Sequence, residues 1–199
     1  MKSKFIMTLA LAAFPAMATP ITFTISLEAA SGSLNGGTFL DELVTFTQTT
    51  DTTLISSATC GFPCAPNVTT NTVTIQGVGT ETLTGGSYFF DNGINLFGIS
   101  NEPGTALLAA EDPSFLSYGM TTAFGPTAYG FYTSSSVVNV TTSGGPLSLS
   151  WNTDGAEPTA QACLGSGCSS PSSVPEPGSL GLALLGVVPL AAGLLRRKR

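Results

Sequence analysis

The chain has 199 residues, of which 42% are hydrophobic and only 9% are charged, so it holds enough apolar material for one domain with a core. All six basic residues lie at the two ends, and residues 19–170 contain no Lys, Arg or His, whereas eleven of the twelve acidic residues fall in that segment. This distribution excludes nucleic-acid binding, a P-loop lysine, His-activated nucleophiles and the His ligands of common zinc sites. Carboxylate chemistry, metal binding through oxygen ligands or non-catalytic binding remain.

The N-terminal residues 1–18 have the features of a secretory signal peptide. Two lysines precede an apolar stretch over residues 5–14, and small residues occupy the two positions that signal peptidase inspects, Ala16 and Ala18. The apolar stretch is shorter than the roughly 20 residues that a membrane span needs. We therefore predict cleavage between Ala18 and Thr19, not a permanent N-terminal anchor.

Residues 19–151 alternate apolar with hydroxylated side chains, which is typical of β-strands. In the first strand Ile21, Phe23, Ile25 and Leu27 alternate with Thr and Ser, so one face is apolar and the other polar. The same period predicts further strands at 43–48, 53–57, 72–76, 87–90, 94–97, 129–133, 136–142 and 147–151.

Turn-forming residues separate these strands. Asp91-Asn92-Gly93 predicts a tight hairpin, and Gly144-Gly145-Pro146 predicts another, because Asn and Gly tolerate positive φ. Within residues 19–151, only Thr105–Glu111 is predicted to be helical. Many short strands with frequent turns predict an all-β domain, a β-sandwich or jelly-roll-like fold.

The C-terminal part is predicted to be a linker followed by a membrane element. Residues 152–173 are rich in Gly, Ser and Pro and lack a period, which favours a flexible linker. Residues 174–199 then contain a Pro-Glu-Pro motif and a single apolar helix over Leu180–Leu195. Four terminal cations would stop translocation and stay on the cytoplasmic side. The motif consists of Pro175, Glu176 and Pro177, and the cations are Arg196, Arg197, Lys198 and Arg199.

This order of Pro-Glu-Pro, apolar helix and Arg-rich end resembles the PEP-CTERM sorting signal, over residues 174–199. The resemblance implies an exported protein of a Gram-negative bacterium that makes extracellular polysaccharide. It also implies that a membrane-embedded exosortase recognises and processes the tail, after transient anchoring in the inner membrane, so that the protein reaches the cell surface or the medium. Because the bodies of such proteins are diverse, the resemblance implies little about residues 19–170.

Four cysteines form two close pairs, Cys60 with Cys64 and Cys163 with Cys168. An even number of cysteines in an exported protein predicts disulfides. Two local bridges are favoured, because each pair spans a turn built from Gly or Pro; the alternative links the two pairs to each other. Neither pair has the two-residue spacing of a thioredoxin-like redox site.

Two pairs of adjacent carboxylates, Asp41-Glu42 and Glu111-Asp112, are the candidates for catalysis. A glycosidase needs two carboxyl groups roughly 5–10 Å apart on either side of its substrate. Adjacent residues on a strand point to opposite faces, so we expect these residues to be solvated surface acids. No catalytic residue and no metal ligand is predicted from them.

Asp91, Asn92 and Asn95 offer oxygen ligands of the kind that calcium prefers. Their spacing does not match an EF-hand, and a hairpin turn accounts for the same residues. We therefore predict no cofactor, with calcium as the alternative at this turn.

Aromatic residues suggest a binding function for the body of the protein. Exposed rings on a β-sandwich can stack on sugars, whereas rings in alternating strands are more often part of the core. The favoured function is a non-enzymatic protein of the cell surface or extracellular matrix, acting in adhesion, matrix structure or polysaccharide binding. The alternative is a carboxylate-dependent polysaccharide hydrolase. The rings concerned are Tyr88, Phe89, Phe90, Tyr129, Phe131, Tyr132 and Trp151.

Overall fold

A computed structural model describes residues 18–66, 70–102, 105–134, 137–151 and 157–165. The predicted signal peptide up to Met17, the sorting motif, the terminal cations and Cys168 lie outside these ranges, so the structural expectations for them stay predictions. Among the described residues, no helix is long and apolar enough to cross a membrane. The predicted apolar helix over 180–195 also lies outside the description.

Twelve β-strands and two short 3-10 helices make up the described part of the chain. The helices span Thr52–Leu54 and Pro113–Ser117. The strands are β1 Pro20–Leu34, β2 Gly37–Asp51, β3 Thr70–Ile75, β4 Gly79–Thr82, β5 Tyr88–Asp91, β6 Leu96–Glu102, β7 Thr105–Glu111, β8 Phe124–Ala128, β9 Gly130–Tyr132, β10 Val137–Thr142, β11 Gly145–Trp151 and β12 Thr159–Leu164.

The larger sheet is antiparallel and has the order β10-β11-β1-β2-β3-β4, with β12 beside β1 and β8 beside β12. Strand β1 serves two partners along one edge, because residues 21–26 pair with β12 and residues 30–34 pair with β11. Its pairing with β2 shifts register between Leu27 and Gly32. Such irregularities bend a strand, which allows one long strand to serve both partners.

The hairpin between β1 and β2 turns at Asn35 and Gly36, both with positive φ, at 48° and 84°. Positive φ at both central residues is the geometry that matches the twist of a two-residue hairpin. This Asn-Gly pair is not among the turns predicted above, although Asn-Gly is the strongest short hairpin signal in a sequence.

The smaller sheet has the antiparallel order β5-β6-β7-β9. The predicted hairpin between β5 and β6 is confirmed, with a four-residue turn over 92–95. The side-chain oxygen of Asn92 accepts hydrogen bonds from the backbone N–H groups of Ile94, Asn95 and Leu96. These contacts satisfy donors that the turn leaves outside the sheet.

The core lies between the two sheets, and the predicted all-β class is confirmed. Phe23 of the larger sheet stacks on Phe89 of the smaller one, with ring centroids 5.7 Å apart. The buried amide of Gln48 donates to the carbonyl oxygen of Ala65 and accepts from the backbone N–H of Phe89. Ring packing thus joins β1 to β5, and the satisfied polar bridge of Gln48 joins β2 to β5 and to the segment beside it.

The helix predicted at Thr105–Glu111 is wrong, because these residues form β7. Positions 106–110 are all buried, and the strand lies between β6 and β9. A short run that is apolar without interruption suits a strand covered on both faces as well as a buried helix, and periodicity cannot separate the two. The strand predicted at 53–57 is also wrong, since residues 52–54 form a 3-10 helix.

The predicted boundary between domain and linker is wrong as well. Residues 159–164, placed in a linker over 152–173, form β12 and pair with β1 and β8. Ala160 and Ala162 are buried in the core. Their period of two is weak in the sequence because Ala is small and its neighbours are Gln and Cys. The domain therefore extends beyond residue 151.

A candidate binding cleft on the smaller sheet

The outer face of the smaller sheet has small residues between aromatic ones. Phe90, Gly98, Ala109 and Tyr132 lie in register across β5, β6, β7 and β9. Residues directly opposite each other point to the same face of a sheet. The row therefore has a ring at either end and almost no side chain in its middle, where Ala109 is fully buried.

Gly98 keeps the middle of this row low. A Cβ at this position would lie 2.4 Å from the carbonyl oxygen of Leu108 and 2.6 Å from the Cα of Ala109. Both are backbone atoms that cannot turn away. The close approach of β6 and β7 therefore requires glycine here.

A cleft of about 150 Å³ opens on this face, lined by Phe90 and Tyr132 from the two ends of the row and by Ser100 and Ala106 beside it. None of the described residues that line it has a charged side chain. Four aromatic residues line it, namely Phe62, Tyr88, Phe90 and Tyr132. Three polar residues contribute to its lining, namely Asn92, Ser100 and Thr105. Mostly apolar walls with a few polar groups are typical of small-molecule sites.

A disulfide-closed loop forms one wall of the cleft. The predicted Cys60–Cys64 bridge is confirmed. The loop presents Phe62, whose ring centroid lies 5.8 Å from that of Phe90. Residues 63–65 hydrogen-bond to β5, through the N–H of Asp91 and the carbonyl of Phe89, and so cover the edge of the smaller sheet. Cys163 is also disulfide-bonded, and its predicted pairing with Cys168 stays a prediction.

Tyr88 has an unsatisfied polar atom. The side chain is 6% exposed, and its hydroxyl oxygen is buried without a hydrogen-bond partner. Buried polar groups in native proteins are nearly always paired, so an orphaned hydroxyl calls for an explanation. Ser100, the cross-strand neighbour of Tyr88, donates its own hydroxyl to the carbonyl oxygen of Thr105 at 2.6 Å.

The structure divides the predicted aromatic candidates into two groups. Tyr88, Phe90 and Tyr132 line the cleft. The others belong to the core or pack against it, namely Phe89, Trp151, Tyr129 and Phe131. The alternation of β5 explains why Phe89 points inward between two outward neighbours. Sequence reasoning missed Phe62 because its position depends on the fold of the disulfide loop.

The adjacent carboxylates serve separate structural purposes. Asp41 is exposed at a positive φ of 54°, and Glu42 follows it in β2. In the smaller sheet, Glu111 accepts a hydrogen bond from the Asn95 amide at 2.7 Å. Asp112 accepts from the backbone N–H of Ser114 and caps the second 3-10 helix, and its pKa is lowered by hydrogen bonds from the side chain and the backbone N–H of Ser114. None of the four lines the cleft.

Asp91 is the most unusual carboxylate in the described part of the protein. One oxygen accepts from the N–H of Gly93 at 2.9 Å, and the other is buried without a partner. Burial raises the pKa of Asp91 to about 6, against the opposing effect of the Gly93 hydrogen bond. Burial also raises the pKa of Tyr118, and the negative charge of Asp91 raises it further, which places the two groups within electrostatic range.

The structure does not bring Asp91, Asn92 and Asn95 together as open ligands for calcium. The Asn92 oxygen is directed at three backbone N–H groups, and the Asn95 amide at Glu111. Within the described ranges, no group of three or more His, Cys, Asp or Glu residues is arranged to hold a metal. Calcium at this turn therefore gains no support from the geometry.

The comparisons with known proteins concern the end of the chain. Residues 173–199 match the family model described as the PEP-CTERM protein-sorting motif, in agreement with the resemblance seen over 174–199. No curated protein and no solved structure matches the chain. The motif identifies an exported protein that is destined for the cell envelope or surface and sorted by an exosortase.

Proposed function

We propose that this exosortase-sorted protein is a non-enzymatic component of the cell surface or extracellular matrix, and that it binds polysaccharide through the cleft. The supporting observation is the lining of the cleft, which combines the rings of Phe62, Tyr88, Phe90 and Tyr132 with the polar side chains of Asn92, Ser100 and Thr105. A sugar ring has apolar C–H faces and polar hydroxyls at its edge. Aromatic walls with a few polar groups complement both.

Binding without catalysis is supported by the composition of the cleft. Within the part of the chain that the structure describes, no Asp or Glu lines it. A glycosidase places two carboxyl groups roughly 5–10 Å apart around the bond that it cleaves. The carboxylate of Glu111 instead accepts a hydrogen bond from the Asn95 amide, and that of Asp112 accepts one from the backbone N–H of Ser114.

Mutation of the cleft tests the proposal. The mature protein would be mixed with the extracellular polysaccharide of the producing bacterium, and the bound fraction measured by co-sedimentation and affinity electrophoresis. We expect Tyr132→Ala and Phe62→Ala each to weaken binding about tenfold, which corresponds to about 1.4 kcal/mol. Leu40→Ala, at an exposed apolar residue of β2 in the larger sheet, is the matched control and should bind normally. Equal binding by all four proteins, or no binding by any, would overturn the proposal.

The processing route is a further part of the proposal. Signal peptidase would cleave between Ala18 and Thr19, which leaves β1 complete because it begins at Pro20. The C-terminal helix would then hold the protein transiently in the inner membrane until the exosortase acts. Deletion of residues 178–199 should release a folded domain, and replacement of Pro175, Glu176 and Pro177 by Ala should leave an unprocessed membrane form. Normal processing of the Ala variant would contradict this route.

The alternative proposal is a carboxylate-dependent polysaccharide hydrolase, for which Asp91 is the carboxylate to test. Its pKa is raised to about 6 by burial and one of its oxygens has no partner, but its side chain is only 1% exposed and does not line the cleft. If the protein hydrolyses polysaccharide, Asp91→Asn should abolish the release of reducing ends. Failure of the native protein to release reducing ends from the same polysaccharide would exclude this candidate.

A further inference from the structure

We infer that the cleft selects an uncharged sugar unit and that the buried hydroxyl of Tyr88 hydrogen-bonds to it; this inference rests on the proposed binding function. It defines the class of ligand and assigns a role to one atom. The distribution of charge, the unpaired hydroxyl and the size of the cleft support it independently.

The charge of the domain disfavours acidic polysaccharides. Residues 19–170 contain eleven carboxylates and no cation, so no Lys or Arg can pair with a uronate or a sulfate. At the cleft itself, Leu96 contributes to the lining and lies directly opposite Glu111. An anionic sugar would therefore be repelled by the negative field, at a site without a compensating charge. A neutral sugar experiences no such repulsion.

The Tyr88 hydroxyl has unused hydrogen-bonding capacity. It is buried without a partner in the free protein, and a phenol can both donate and accept. A sugar hydroxyl seated in the cleft would supply the missing partner, once the side chains over the phenol adjust. Because an unpaired buried group is costly, a ligand that pairs it gains binding energy that an apolar ligand cannot.

The size of the cleft limits how much of the ligand it encloses. Its volume of about 150 Å³ is well below the roughly 300–1,000 Å³ of sites that enclose drug-sized molecules. The cleft therefore holds one ring of a longer chain, and the neighbouring rings stay outside. Affinity for a single unit would be weak, and a repetitive polymer would bind several copies of the protein at once.

Fractionation of the polysaccharide provides the test. The extracellular polysaccharide of the producing bacterium would be separated by anion exchange into uncharged and acidic fractions, and each would be titrated against the mature protein at low and high salt. We expect the uncharged fraction to bind with little dependence on salt, because no ion pairs form. If the acidic fraction binds as tightly or more tightly, the inference is overturned while the proposed function stands. If neither fraction binds, the proposed function itself fails.

Tyr88→Phe tests the role of the hydroxyl. We expect binding of the uncharged fraction to fall about tenfold, which corresponds to about 1.4 kcal/mol, while the melting temperature stays the same or rises because an unpaired polar atom is removed. Tyr118→Phe is the matched control: its hydroxyl donates to the Thr122 carbonyl at 2.7 Å, so this variant should melt earlier and bind normally. Unchanged affinity of Tyr88→Phe would overturn the role of the hydroxyl.

Discussion

The indole N–H of Trp151 donates a hydrogen bond to the carbonyl oxygen of Leu107, at 2.9 Å, and so connects β11 of the larger sheet with β7 of the smaller one. The same carbonyl accepts from the hydroxyl of Thr133 at 3.2 Å. The indole ring also contacts the ring of Phe46 edge-on, with centroids 6.5 Å apart. Trp151 therefore joins the two sheets through its hydrogen bond, while its ring packs within the larger sheet.

The shared acceptor predicts non-additive mutations. Trp151→Phe should lower the free energy of unfolding by about 1–3 kcal/mol, and Thr133→Val by less. The double variant should lose more than the sum, because only then is the buried Leu107 carbonyl left without either side-chain donor. Urea denaturation of the four proteins measures the coupling. Strict additivity would contradict a carbonyl shared by both donors.

Gly98→Ala should destabilise the smaller sheet. The added methyl would meet the backbone of Leu108 and Ala109, so β6 and β7 must separate, at a cost of about 1–3 kcal/mol. Gly85→Ala is the matched control, because a Cβ there has no neighbour within 4 Å. Thermal melts of both variants decide the matter, and equal melting temperatures would show that the sheet can relax around the methyl group.

The pKa of Asp91 predicts a dependence of stability on pH. Burial raises it from 3.8 to about 6 in the folded protein, so the folded state binds this proton more tightly than the unfolded chain. The corresponding stabilisation is complete below about pH 3.8 and is lost as the pH rises through about 6, a change of at most about 3 kcal/mol that solvent screening reduces. Asp91→Asn has no titrating group at this position. Subtracting its free energy of unfolding from that of the native protein therefore removes the contribution of the other titrating groups. A constant difference in unfolding free energy from pH 3.5 to 7 would contradict the prediction.

The disulfide-closed loop should contribute to both stability and binding. Replacing Cys60 and Cys64 together by Ala opens a five-residue loop, and the chain-entropy model gives a cost of about 2 kcal/mol. The variant should also bind polysaccharide more weakly, because Phe62 is no longer held beside Phe90. Calorimetry and co-sedimentation measure the two effects. Unchanged affinity would show that the loop stabilises the domain without shaping the cleft.

Local sequence patterns were enough to predict many of the strands. The alternation in residues 21–27 and the Asp91-Asn92-Gly93 turn gave correct elements, because both signals act within a few residues. The errors at Thr105–Glu111 and at residues 159–164 have a different origin. A strand covered on both faces has no period of two, and a strand with Ala at its inward positions carries only a weak one.

For the cleft, the sequence supplied the aromatic residues and the Cys60–Cys64 pair but not their arrangement. Tyr88, Phe90 and Tyr132 are separated by up to 44 positions, and only the pairing of β5, β6, β7 and β9 places them on one face. The roles of Gly98 and Phe62 likewise depend on which strand or loop lies beside them.

The sequence by itself determined the export and sorting of this protein, its β class and the lack of basic residues in residues 19–170, because targeting signals, period-two patterns and charge are local or additive properties. Only the tertiary structure decided that two sheets enclose the core, that residues 159–164 complete the larger sheet, and that a cleft opens on the smaller one. Those features depend on contacts between distant residues. Which strands pair depends on burying the apolar faces and on pairing the backbone N–H and C=O groups throughout the chain. No single segment therefore encodes the pairing.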